Sequence, residues 1–526
     1  MTPGDAALID ALRNPALYDD SPACVTVVET HISWVLLTGN YAYKIKKPLD
    51  LGFLDFSTLE LRHRYCEQEL RLNRRLAPEL YLEVVSITGS VTAPRVGGAG
   101  TPIEYAVKMR EFPQSAQLDR VLQRDELTGE HIDQLAIQIA AFHQRIDSAG
   151  PDSLQGTANN VREPVDENFA QIESRLKDTT DRAELNCLRV WSEAEFDRQR
   201  ATFEARKAAG FVRECHGDMH LANMALIDEQ VLIFDCIEFN ENLRWNDVMS
   251  EVAFLVMDLD DRAHPELASR FLNDYLEITG DYAGLAVLRY YLVYRALVRA
   301  KVDCIRACQP DVDAEQRHKI LDDYRGYIRL ALRYTYPGPP LLMITCGLSG
   351  SGKSTVARQV GEHCHAIRLR SDVERKRLYG LAAEARSDSG IRAGIYSADA
   401  TRRTYQHLET LAGQLIGDGY SVVVDAAFLD RAWRARFIEL ARRTGIPFLI
   451  LECHADEQTL RARVALRERA ARDASEAGVA VLEHQLASAA PFDEGEQRHA
   501  LRVDTTRPVE GGALARQVAA WRARQG

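Results

Sequence analysis

Nine residues constrain this chain more than any others: Gly347-Leu348-Ser349-Gly350-Ser351-Gly352-Lys353-Ser354-Thr355. They follow an apolar run, Leu341-Leu342-Met343-Ile344, and lead into helix-compatible sequence from Val356. The pattern is G-x-x-x-x-G-K-[ST] in its confirming context, strand before and helix after. The glycines let the backbone curl so that several N–H groups converge on one phosphate chain. The helix N-terminus adds partial positive charge. Lys353 is expected to reach the β- and γ-phosphates and Ser354 to ligate Mg²⁺. A stretch of this kind commits its part of the chain to an α/β sheet with the loop at the carboxyl edge of a strand.

That commitment covers only part of 526 residues. A chain this long exceeds one core, and two large domains suffice. The breaker cluster Pro337-Gly338-Pro339-Pro340 is the best boundary and a stiff connector. The expected domains are 1–336, a linker at 337–340, and 341–526. Charge divides there too. From Leu341 onward there are 27 basic and 23 acidic residues, a net of +4; the rest holds 38 and 54, a net of −16. Bulk charge therefore argues against nucleic acid as a partner of the first part and permits it for the second. No run of 18 apolar residues predicts a membrane span. The first nineteen residues lack a basic region followed by an apolar core, so no secretory signal is expected. The ten cysteines are scattered without metal-site spacing, which suits a reducing cytoplasm.

In the first part, Val25–Glu29, Ile32–Leu37 and Tyr41–Lys46 read as strands, with Thr38-Gly39-Asn40 as a turn. Lys44 and Lys46 share a face of the third strand. The segment Thr58–Leu76 reads as a helix carrying Glu67 and Glu69. A strand lysine paired with a helix glutamate is how kinases hold ATP phosphates. Strands Leu82–Thr88 and Ile103–Met109 precede Glu111-Phe112-Pro113, where a hinge between two lobes is expected. Residues Thr128–Asp147 and Pro164–Arg206 look helical. The decisive stretch is Cys215-His216-Gly217-Asp218-Met219-His220-Leu221-Ala222-Asn223, followed by Val231-Leu232-Ile233-Phe234-Asp235. Its D-x-x-x-x-N spacing positions Asp218 to accept a hydroxyl proton and Asn223 to hold a metal, with Asp235 as a second metal ligand. His216 is expected to order the loop; His220 has either a loop-ordering or a substrate-facing role.

These residues resemble the aminoglycoside phosphotransferase-like, or choline-kinase-like, branch of the kinase fold. The resemblance implies a bilobal kinase-like first domain using ATP and Mg²⁺, with Lys44 as phosphate lysine and Glu69 as its partner. Lys46 and Glu67 compete for those roles. No G-x-G-x-x-G covers the phosphates; only Gly39 marks the early strands. No Ala-Pro-Glu follows Asp235, which suits a small-molecule kinase.

After the phosphate loop, Ala366–Leu369, Ser421–Asp425, Pro447–Cys453 and His499–Val503 read as strands alternating with amphipathic segments, which predicts a parallel sheet. Asp372 and Arg375 follow the second strand. They read either as a base and an anion partner for a hydroxyl acceptor or as a helix cap and a solvated arginine. Asp425 ends an apolar strand where a metal-holding carboxylate sits in P-loop proteins. Arg463 and Arg467, four apart, read as a lid over nucleotide or as a solvated helix face, with Arg469 and Arg472 nearby. Ser475-Glu476-Ala477 reads as a helix start. This third resembles the P-loop kinase and AAA-type group, near the zeta-toxin and polynucleotide kinases. The resemblance implies a kinase with a hydroxyl acceptor. An active P-loop kinase regulated by a kinase-like domain, and an ATPase switch without an acceptor, remain the alternatives.

Overall fold

The computed structural model describes residues 3–52, 54–310, 312–383, 385, 387, 393–470 and 478–524. Packing divides the chain into two compact units. The first is Met1–Asn168 with Arg200–Asp258; the second is Phe169–Gln199 with Leu259–Gly526.

The first unit holds a six-stranded antiparallel sheet. Its strands are β1 (Thr26–Glu29), β2 (Ser33–Leu37), β3 (Tyr41–Lys46), β4 (Tyr81–Ser90), β5 (Ala93–Val96) and β6 (Pro102–Arg110), in the order β1-β2-β3-β6-β4-β5. The short hairpin strand β5 goes beyond the strands read from the sequence. Period-two alternation sorts β3 between two faces. Tyr43 and Ile45 join Trp34 and Leu36 in one core. Lys44 and Lys46 face the opposite way, toward α1 (Leu59–Asn73), whose Cys66 packs with Tyr81 and Val107. Further along, β7 (Val212–Glu214) pairs with β10 (Trp245–Asp247). Between them, β8 (Met224–Ile227) and β9 (Gln230–Ile233) form a hairpin. Its two turn residues, Asp228 and Glu229, have φ of +49° and +61°, the geometry that matches strand twist in a tight hairpin.

The helical stretch expected over 164–206 is two helices, Ala158–Glu173 and Thr179–Ala208. The break has a local cause. Asp178 accepts the Thr180 and Asp181 N–H groups at 2.8 and 3.1 Å, starting the second helix afresh.

The second unit holds a parallel five-stranded sheet of β11 (Leu342–Cys346), β12 (Ile367–Arg370), β13 (Val422–Asp425), β14 (Phe448–His454) and β15 (Ala500–Asp504). The order is β12-β13-β11-β14-β15. Every residue of β11 is buried, as expected of a strand covered on both faces. Strand order reverses at β11, so a crevice opens at its carboxyl end. The phosphate loop leaves β11 there and enters α4 (Lys353–His363), which packs through Val356 and Val360 onto Met343, Val423 and Leu449.

These packing units cut the chain differently from the 336/341 boundary. α2 (Val248–Asp261) ends where α3 (Pro265–Thr279) begins the run that packs with the parallel sheet. The Asn273 amide of α3 bonds the edge of β12, accepting from Arg368 N–H at 2.7 Å and donating to the Ala366 carbonyl at 3.1 Å. A side-chain amide thus satisfies backbone groups that a further strand would otherwise have taken. Among the described residues no helix is long and apolar enough to cross a membrane.

Candidate active sites

In the first unit, β3 and α1 bring a strand lysine and a helix glutamate together. Lys44 Nζ lies 2.8 Å from Glu69 Oε1 and 2.6 Å from Asp235 Oδ1. Lys46 Nζ lies 2.7 Å from Glu69 Oε2 and also bonds Glu238. One buried carboxylate therefore bridges both lysines. Burial opposes its charge, but the two ammonium groups outweigh that and hold it well below the usual range. The competing lysines differ in access. Lys46 is sealed in, whereas Lys44 reaches Asp235, whose side chain is 45% exposed. Glu67 lies on the exposed side of α1, 3.6 Å from His63. Glu238 was not singled out from sequence; its only signal was its place three residues after Asp235.

Asp235 has φ of +63°, a conformation that needs support in a non-glycine residue. Its N–H donates to the Tyr81 hydroxyl at 3.2 Å, and the next N–H, of Cys236, donates to Asn73 Oδ1 at 2.9 Å. The β8–β9 hairpin returns the chain so that Phe234 N–H bonds the Asn223 carbonyl at 2.9 Å, setting Asp235 close to the loop. In that loop Asn223 Nδ2 donates to Asp218 Oδ2 at 2.9 Å and to its carbonyl at 3.0 Å. His220 Nε2 lies 3.3 Å from the same Oδ2. His216 is a brace: Nδ1 accepts the Asp218 N–H at 3.3 Å while Nε2 faces the Phe234 carbonyl at 2.9 Å. That pairing needs the neutral tautomer, and burial holds the imidazole below its usual range.

A second residue that sequence reasoning missed is Glu251. It accepts the His216 N–H at 3.0 Å, accepts that of Gly217, and lies 3.3 Å from His143 Nε2. Burial works against its charge. The His143 hydrogen bond and charge and the backbone N–H outweigh that and bring its carboxyl down to about 2. Two turns further along α2, Asp258 accepts the Leu221 N–H at 2.9 Å. Two carboxylates seven apart, hence on one face of an apolar helix, were the available signal. Gly39, the lone early glycine, donates its N–H to Glu111 at 2.7 Å, tying the β2–β3 turn to the expected hinge.

In the second unit the loop's glycines have φ of +157°, +83° and +77° at 347, 350 and 352. The loop has no room for side chains. A Cβ on Gly350 would stand 2.7 Å from the Leu460 carbonyl. The Ser351 hydroxyl is buried with no hydrogen-bond partner among the described residues. Ser354 hydrogen-bonds Asp425, whose carboxyl burial pushes up against the pull of Arg370, Ser354 and Lys353. This juxtaposed hydroxyl and carboxylate are hard oxygen donors and fit Mg²⁺. Lys353 Nζ donates to the Leu348 carbonyl at 2.8 Å, and burial lowers its proton affinity. Ser349 N–H donates to Gln485 Oε1 at 2.7 Å, so α7 (Val479–Ser488), which follows α6 (Glu457–Ala470), reaches the loop.

Asp372 lies half-buried in the first turn of α5 (Ser371–Leu378), with its charge and that of Asp425 acting on Lys353. The cap position belongs to Arg370, not to Asp372. Arg375 is buried: Nη1 donates to the Ile395 carbonyl at 2.8 Å and the guanidinium stands 5.0 Å from the centre of the Tyr396 ring. Arg463 braces the phosphate loop, donating to the Thr505 carbonyl at 2.6 Å and the Gly350 carbonyl at 3.3 Å. The charge of Arg467 also acts on Lys353. The Arg469 side chain, Arg472 and Ser475–Ala477 lie outside the described residues.

Two candidate sites thus lie in this chain, one in each packing unit. Residues 54–289 match the model of a phosphotransferase enzyme family, and residues 342–492 match that of an AAA domain. Both segments are of kinase families, and the chain is an enzyme of that class. An uncharacterized protein of Mycobacterium tuberculosis, Rv2004c, is 29% identical over 506 residues, covering 95% of this chain and 97% of its own. Mb2027c of Mycobacterium bovis matches to the same extent. Among solved structures, a choline kinase from Cryptosporidium parvum is 12% identical with a TM-score of 0.37, covering 62% of this chain and 95% of that one. The APS kinase CysC of Mycobacterium tuberculosis is 22% identical with a TM-score of 0.26, covering 35% and 98%.

Proposed function

We propose that the protein is a cytoplasmic enzyme with two ATP- and Mg²⁺-dependent phosphotransferase sites, one in each of two domains, each passing a γ-phosphate to a hydroxyl. The functional domains are residues 1–336 and 341–526, joined at 337–340. The observation that carries this reading is that each packing unit has its own charge-neutralising lysine and its own metal-suited carboxylate: Lys44 with Asp235, and Lys353 with Asp425.

At the first site Asp218 accepts the proton of the acceptor hydroxyl as its oxygen attacks the γ-phosphorus. Asn223 and Asp235 are the metal-holding residues, and Lys44, oriented by Glu69, meets the phosphates. At the second site the loop N–H groups and Lys353 hold the phosphate chain, and Ser354 and Asp425 hold the metal. Asp372 is the base for the acceptor, with Arg375 shaping the acceptor side and Arg463 and Arg467 closing over nucleotide. When bound, Mg²⁺ supplies neutralisation of the developing phosphate charge. The acceptor of the first site is a small molecule. That of the second is a small molecule, a nucleotide or a polynucleotide end.

A second reading keeps the P-loop kinase active and makes the first domain a nucleotide-binding regulator. The absence of a glycine-rich loop favours it, since β1 and β2 are joined through Thr30-His31-Ile32. Transfer of labelled γ-phosphate to sugars, nucleosides, aminoglycosides and 5′-hydroxyl oligonucleotides separates the two. Lys353→Ala is expected to abolish one activity and Asp218→Asn a different one. Should Asp218→Asn leave every transfer intact, the two-site reading fails.

A further inference from the structure

α3 lies within residues 54–289, the phosphotransferase-family segment, yet it packs with the sheet of the P-loop unit. One of its faces, Arg270-Asn273-Asp274-Glu277, is wholly polar, and each member meets a residue of that unit. Arg270 pairs with Glu362 of α4 at 3.2 Å. Asn273 bonds the edge of β12. Asp274 pairs with Arg368 at 3.0 Å, and Glu277 holds both Arg368 at 2.7 Å and Arg370 at 2.6 Å.

Arg370 is the pivotal partner. It closes β12, stands at the cap position of α5, and its Nε lies 3.7 Å from Asp425 Oδ2. It therefore stands between two carboxylates, one from α3 and one at the candidate metal site. α5, which carries Asp372, is tied to α3 a second time: Arg377 Nη2 donates to the Glu277 carbonyl at 2.5 Å. A glycine, Gly280, stands beside this contact in the turn after α3. It has φ of +74°, and a Cβ would come within 2.6 Å of Arg377 Nη1. Both ends of the acceptor-side helix are thus anchored at Glu277, one through its side chain and one through its carbonyl.

We propose that Glu277 is a positioning residue of the P-loop site: it holds the Arg370 guanidinium back from Asp425, leaving that carboxylate to the metal. The proposal rests on the P-loop reading above. With Glu277 neutral, the attraction of Arg370 falls to Asp425, and a cation there competes with the divalent ion for one carboxylate. A helix of one kinase family thereby sets the metal affinity of the other.

The test is Mn²⁺ binding to the full chain with ADP, followed by electron paramagnetic resonance in an Asp235→Asn background that silences the first site. Glu277→Gln is expected to weaken Mn²⁺ about tenfold, the scale of one uncompensated charge at a partly desolvated site. Glu277→Gln with Arg370→Gln is expected to return to within about twofold of the parent. Unchanged binding in the single variant, or no recovery in the double, overturns the proposal. If Glu277→Gln does not fold, Arg370→Gln alone gives the answer: binding equal to or tighter than the parent supports the proposal, and weaker binding overturns it. Asp425→Asn separates the two failures. If it leaves Mn²⁺ binding intact, the P-loop metal reading itself is wrong; if it weakens binding while Glu277→Gln does not, only the role of Glu277 is lost.

Discussion

Replacing Glu251 by glutamine tests how the first site is held. The carboxylate accepts two consecutive backbone N–H groups of the His216-Gly217-Asp218 turn and pairs with His143. Its carboxyl is brought from the ordinary 4.5 down to about 2. That gap corresponds to roughly 3 kcal/mol of folding free energy. The sign follows from proton binding. Between about pH 4.5 and 2 the unfolded chain binds the proton more readily than the folded one. The contribution is therefore complete above about 4.5 and lost as pH falls toward 2. Glutamine keeps the shape and an acceptor oxygen but not the charge. The variant should lose most of that stabilisation at pH 7 and lack the wild-type decline on acidification. Hydrogen exchange at the His216 and Gly217 amides, from pH 7 to 3, reads this directly. Asp218 hangs from the same turn, and a displacement of about 1 Å at a reacting group costs on the order of 10²-fold in rate. Transfer dependent on Asp218 should fall accordingly, while transfer dependent on Lys353 persists. Equal amide protection in both proteins at pH 7, or parallel pH profiles, would refute the reasoning.

Three further outcomes are expected. Gly350→Ala forces a Cβ to 2.7 Å from the Leu460 carbonyl at a φ of +83°, a strain of about 1–3 kcal/mol. ADP binding at that loop, measured by calorimetry, should fall at least tenfold; wild-type affinity would contradict it. Gln485→Ala removes the side chain bonded to Ser349 N–H. It should tighten nucleotide binding by a few-fold, since one net hydrogen bond is worth about 1 kcal/mol, and weaker binding would show that Gln485 serves the bound state instead. Glu69→Gln leaves two buried lysines sharing fewer charges and should cost about 3–5 kcal/mol. Glu67→Gln, on the exposed side of the same helix, should stay within about 0.5 kcal/mol. Chemical unfolding of both variants compares them, and equal losses would remove the distinction drawn between the two glutamates.

Local chemistry made much of this protein legible in advance. The G-x-x-x-x-G-K-S run needs only its own glycines to predict a strand before it and a helix after it, and β11 and α4 stand there. The aspartate that closes a short apolar strand, Asp425, and the one two residues past another, Asp235, stand out through the contrast of an acidic residue after four buried or half-buried ones. The spacing from Asp218 to Asn223 is a property of one loop. Each depends on residues within about ten positions, where backbone geometry alone decides who meets whom. The choice between Lys44 and Lys46 was not of that kind. The two share a face by strand period, and only the packing of α1 shows that Glu69 bridges both while Asp235 meets Lys44 alone.

Glu251, Glu238 and Glu277 remained out of sight for the same reason. Each acts on a group far away in the chain, and a buried carboxylate is recognisable only by the partners that make its burial affordable. The domain boundary shows the division most clearly. The Pro-Gly-Pro-Pro run predicts a break, because proline chemistry is local, yet it lies inside the second packing unit. What packs on either side depends on the polar face of α3, which satisfies the open edge of β12. Sequence by itself marked two stretches, 215–235 and 347–355, as candidate sites in this chain. Tertiary structure decided which buried charges hold each set of reacting groups, since the cost of an unpaired charge is set by its neighbours in space and not by its neighbours in sequence.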